Sequence, residues 1–154
     1  MFQFLRGFRA DRRPVDTARE APAPPFAAEP PQDAPRLDRM DLQAALIHHL
    51  EWCVQFNDQL GIVSLSETPP PRQLPGAEAS ELGQWLQRSA ARAPGAHPLF
   101  AELVREHRLL HQLADRALQL AERGRMDQAS TLLNTDFERS RARVQALLRN
   151  MQKG

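Results

Sequence analysis

The stretch FAELVREHRLLHQLADRALQLAERG, residues 100–124, has the clearest helical pattern in the chain. Phe100, Val104, His107, His111, Ala114, Leu118 and Ala121 recur at steps of four and three, the spacing that stacks side chains along one face of an α-helix. Gly124 marks its end. Two positions of this apolar seam are histidines, so the element that defines the fold also carries its most reactive side chains.

Pro94, Gly95 and Pro98 separate this helix from a shorter one expected around residues 79–92, with Leu82, Trp85 and Leu86 on its apolar side. Ahead of that, Pro69, Pro70, Pro71 and Pro75 mark a loop. A first long helix carries a seam of Leu42, Leu46, His49, Cys53, Phe56 and Leu60; Asp38 or Asp41 is expected to cap it and Gly61 to stop it. After Gly124 a last helix is expected from about Met126 to Met151, with Leu133, Phe137, Ser140, Val144, Leu147 and Met151 on one side and arginines opposite. No strand-like run interrupts the pattern. The reading is all-α: a four-helix bundle of three long helices and one short, spanning residues 39–154.

Residues 1–38 stand apart. Seven of the 13 prolines fall here, among alanines and alternating charges, a composition too poor in apolar area to offset the entropy of ordering, so a disordered Pro-rich tail is expected. Its first residues set Phe2, Phe4, Leu5 and Phe8 beside Arg6, Arg9, Arg12 and Arg13, and read as a frayed basic terminus. Across the chain the net charge is +1 with 25% charged residues, which gives no field to hold nucleic acid. No apolar run approaches the roughly 20 residues that cross a bilayer, so no membrane span is expected. The lone Cys53 excludes an internal disulfide framework and is consistent with a reducing compartment, so a cytoplasmic location is expected.

His107 and His111 leave one helix face about a turn apart and are positioned to grip one ion. His49 lies in the seam of the first helix, and antiparallel packing is expected to bring it opposite the pair. Three buried imidazoles with unsatisfied nitrogens are costly, whereas a cation uses one lone pair on each and leaves the other N–H for an outer acceptor. Core histidines paired with Asp, Ser or water are the competing account. His48 points away from the seam, His97 reads as a loop residue, and Trp52 and Trp85 read as packing at the bundle's edge. Metalloprotease, phosphate-loop and nucleophile-elbow patterns are absent from the sequence, so no enzyme is expected.

The segments His49-Leu50-Glu51-Trp52, Glu81-Leu82-Gly83-Gln84-Trp85-Leu86 and His107-Arg108-Leu109-Leu110-His111 together resemble the chemoreceptor zinc-binding domain family, over about Asp41 to Leu148. That resemblance implies a zinc-binding sensory or regulatory module, with His49, His107 and His111 matching three of the family's four ligands. Ser80 stands where the family has its cysteine. A hydroxyl is a poorer zinc ligand than a thiolate, so the fourth position falls to Ser80, to a water in its place, or to Cys53 one turn beyond His49. The resemblance also implies a signalling partner in chemotaxis or cyclic-di-GMP control, acted on in trans; apart from the resemblance, a homodimer is a further partner arrangement left open. The alternatives are a metal-free helical interaction domain with a degenerate site and, ranked last, a metalloenzyme with water at an open fourth position, for which Asp136, Glu51 and Glu81 are the only candidate bases.

Overall fold

The computed structural model describes residues 39–68 and 71–153; the expected disordered tail, residues 1–38, lies outside the described residues. Among the described residues every regular element is helical: α1 (Arg39–Leu65), α2 (Glu81–Ser89), a single turn α3 (Ala93–Ala96), α4 (Phe100–Glu122), α5 (Met126–Leu132) and α6 (Glu138–Lys153). No helix among them is long and apolar enough to cross a membrane. α1 packs against α2, α4 and α6, and α4 against α5 and α6.

Three helices differ in extent from the sequence expectation. α1 passes through Gly61 and ends at Leu65. The extra turn buries Val63 to 3% exposure, a gain of about 1.5–3 kcal/mol that outweighs the ~1 kcal/mol cost of a helix-interior glycine. The last helix is not one α-helix, because a π-helical segment, Leu133–Phe137, joins α5 to α6, with the Glu138 N–H reaching the Leu133 carbonyl. The short helix is tighter than expected, opening at Glu81 with Ser80 as its N-cap.

The long helices enclose two apolar clusters, and their membership fixes the helix directions. One gathers Leu42 and Ala45 of α1, Phe100 and Leu103 of α4, and Val144 to Met151 of α6. The other gathers Trp52, Cys53 and Phe56 of α1, Leu110 to Ala121 of α4, and Phe137. α1 and α4 therefore traverse the clusters in the same order and run parallel, while α6 runs against both. This corrects the expected antiparallel pairing of α1 with α4. The reason is the connection, residues 66–99, whose turns carry the chain back to its starting end before α4 begins.

Candidate metal centre

Between the two apolar clusters lies a buried polar layer. His49 on α1, Ser80 at the head of α2, His107 and His111 on α4 and Ser140 on α6 are each no more than 6% exposed. Parallel α1 and α4 bring this about as well as antiparallel helices would, since His49 follows the first cluster on its helix just as His107 does on its own.

The side chains meet through their Nε2 atoms. His107 Nε2 is 3.1 Å from His111 Nε2 and 3.2 Å from Ser80 Oγ, and His49 Nε2 is 3.8 Å from Cys53 Sγ. Ser80 is already engaged: its hydroxyl donates to the Ala77 carbonyl at 2.9 Å and accepts from the Gly83 N–H at 3.1 Å. With its one proton spent, it meets His107 only as an acceptor, so the donor count assigns the proton to His107 Nε2. Gly83 is obligatory here, because a Cβ at that position would stand 1.7 Å from the Ala77 carbonyl oxygen. The Leu-Gly pair of α2 thus lets the helix start close enough to put the Ser80 oxygen against His107.

Trp52, expected at the edge, is instead part of the site. Its ring lies over His111 with centroids 4.0 Å apart, it stacks on Phe56, and its Nε1–H donates to the Pro75 carbonyl at 2.9 Å, tying α1 to the loop before α2. On the far side, Ser140 Oγ approaches the Glu106 carbonyl at 3.4 Å. Trp85 is half-buried against Phe100; His48 faces outward beside Glu51 at 3.2 Å, and His97 accepts from the Leu99 N–H beyond α3.

Burial holds the three imidazoles below their ordinary value: His49 and His107 to about 4, His111 to about 3. Repulsion from His107 adds to this at His49, and from His107 and His49 at His111. At His107 the nearby Glu78 pulls the other way. Burial likewise pushes the Cys53 thiol up to about 11, Arg141 opposing and Glu138 assisting. At neutral pH the site therefore holds three uncharged rings and a protonated thiol.

Two openings lead toward it. A cavity of about 170 Å³ between α2 and α4 reaches His107, with the Glu78–Arg108 ion pair, 3.2 Å, at its wall. A groove of about 540 Å³ between α1 and the π-helical segment reaches Cys53, past Leu50, Val54 and Phe137.

The donor set suits zinc in kind, being neutral imidazoles with a hydroxyl and a thiol at hand. The 3.1 Å and 3.2 Å separations around His107 are close to the ~3.3 Å between ligand atoms of a tetrahedral zinc with ~2.05 Å bonds. As the side chains stand, however, they form two sets, His107 with His111 and Ser80, and His49 with Cys53. Among the described residues no group of three or more His, Cys, Asp or Glu is arranged to hold a metal ion. Comparison with protein-family models, with curated proteins and with solved structures returned no match, so the family resemblance rests on the motifs quoted above.

The sequence pattern placed all three histidines, Ser80 and Cys53 in one neighbourhood. It missed Ser80 as the α2 cap, for which the signal was present: a serine directly before Glu81 and an apolar-periodic run. It also missed the contact of Trp52 with His111, which depends on helix direction.

Proposed function

We propose that the chain is a zinc-binding regulatory module built on a four-helix bundle, with His49, His107 and His111 as ligands through Nε2. The observation that carries this reading is the buried Nε2 atom of His107, within 3.2 Å of both the His111 ring and the Ser80 hydroxyl in a layer sealed by apolar clusters. Zinc supplies a positive charge that the three lone pairs share. The protein's part is to keep the rings neutral by burial, to move the His107 proton from Nε2 to Nδ1, and to swing His49 toward the α4 pair. An ion held by these three rings would link α1 to α4, biasing the packing of the bundle and through it a signalling partner acted on in trans. No residue is assigned a catalytic role.

The fourth position separates two outcomes. Ser80 is nearest to His107 but has its proton and one lone pair committed, while Cys53 must lose a proton that burial makes hard to remove. Ser80→Cys is expected to tighten zinc binding about tenfold or more, since a thiolate replaces a neutral oxygen, and Cys53→Ala to change it less than about threefold. Zinc affinities of the two variants and the wild type check this. Loss of binding in Cys53→Ala with no change in Ser80→Cys would transfer the fourth ligand to α1.

The same arrangement without metal favours a second reading, a helical interaction domain. The hydrogen bond between His107 and Ser80 and the pairing of His107 with His111 already satisfy part of the layer. Zinc content of protein purified without a histidine tag separates the two.

A further inference from the structure

The cavity between α2 and α4 is larger than access to a metal ion requires. Its volume of about 170 Å³ exceeds the roughly 150 Å³ that holds a benzene ring inside a protein. Leu86, Phe100 and Val104 give it apolar walls, and Ala77 and Ala90 line it where larger side chains would close it. Close packing is the rule inside a bundle, and a recess of this size forfeits contacts that a filled one keeps. Of the proposed metal ligands only His107 lines it.

Its charged groups are two, and of opposite sign. The Glu78 carboxylate and the Arg108 guanidinium both line the cavity and pair at 3.2 Å. Gln87 Nε2 donates to the Glu78 main-chain carbonyl at 3.3 Å and approaches the Glu78 carboxylate at 3.5 Å, which steadies the acidic member from α2. Glu78 and Arg108 are 66% and 59% exposed, so their attraction for each other is weak. Each also keeps hydrogen-bonding capacity beyond the contact they share, the carboxylate in lone pairs and the guanidinium in N–H groups.

This combination defines a ligand class. A carboxylic acid alone gains Arg108 but meets the repulsion of Glu78, and an amine alone meets the reverse. A molecule with an ammonium and a carboxylate on one carbon lies head to tail against the pair, carboxylate beside Arg108 and ammonium beside Glu78, so that four charges alternate with the existing contact intact. Its apolar side chain then enters between Leu86, Phe100 and Val104. The volume admits a branched aliphatic chain or a single ring. A peptide does not fit this arrangement, because its two charged ends no longer share a carbon.

From this geometry we infer that the cavity is a binding site for a free hydrophobic α-amino acid of the leucine class. The site goes beyond the zinc reading and does not depend on it, since both clamping groups and all three apolar walls lie outside the proposed metal ligands.

Amide chemical-shift titration of the metal-free full chain with L-leucine tests the inference, and its result stands whether or not zinc binds. Saturable shifts are expected at Leu86 and Val104, with a dissociation constant of about 1 mM or lower for a ligand of this size. Glycine lacks the apolar part, isocaproate the ammonium and isoamylamine the carboxylate, and each is expected to bind at least about fivefold more weakly. Arg108→Gln and Glu78→Gln, at exposed positions that leave the core untouched, are expected to weaken L-leucine by about fivefold or more. Val104→Phe, which fills the cavity from a half-buried position, is expected to remove saturation. Absence of saturable shifts at about tenfold above the expected constant overturns the inference. Isocaproate or isoamylamine binding as tightly as L-leucine overturns the amino-acid class, and L-leucine binding unchanged in all three variants overturns the cavity as its site.

Discussion

Lowering the pH of the metal-free protein from 7 to 5 is expected to remove roughly 4–6 kcal/mol of stability, enough to unfold a domain of ordinary stability. His49, His107 and His111 titrate at about 4, 4 and 3 in the folded chain against 6.5 when free. A histidine whose folded value is depressed contributes stability that is fully present above 6.5 and lost as pH falls toward the folded value, because the unfolded chain takes up the proton first. With three such groups the slope approaches three protons, about 4 kcal/mol per pH unit at its steepest. The exposed pairs Glu122–Arg72 and Glu138–Arg141 also lose stability on acidification, but below the range of ordinary carboxylates and by little. Denaturant melts at pH 7, 6 and 5 measure the loss, and His111→Leu is expected to remove about a third of it. Stability that stays flat from pH 7 to 5 would mean the rings are not held neutral by burial.

Zinc is expected to raise the melting temperature by about 10 °C at a hundredfold excess over its dissociation constant. Binding to the native state alone adds about 2.7 kcal/mol under that condition, and 1 kcal/mol moves the midpoint of a domain of this size by about 4 °C. The same ion should shift the acid transition downward, since protons and zinc compete for the same Nε2 lone pairs. Identical melting curves in zinc and in chelator, on protein shown to be metal-free, would favour the interaction-domain reading.

Much of this was legible in the sequence because helical periodicity is a local property. The seams of α1 and α4 carried His49, Cys53, His107 and His111 to the interior in a single reading, and the buried residues agree. Helix direction was not local. Whether α1 and α4 run parallel depends on how residues 66–99 fold back, and the contact of Trp52 with His111 depends on that in turn. Gly61 misled for a different reason: a glycine late in an apolar run signals a stop, whereas here the burial of Val63 carries the helix past it. The π-helical segment around Asn134 has no composition signal. It serves to bring Phe137 onto Phe56, with centroids 4.9 Å apart, a packing gain that only the assembled helices reveal.

Competition between the tag-free full chain and a chromophoric zinc chelator tests whether buried Nε2 atoms on two helices hold one zinc ion. The wild type is expected to withdraw one equivalent of zinc per chain, and His107→Ala and His111→Ala, each folded at neutral pH, to withdraw none. A wild type that leaves the chelator saturated, or uptake unchanged in both histidine variants, would contradict it.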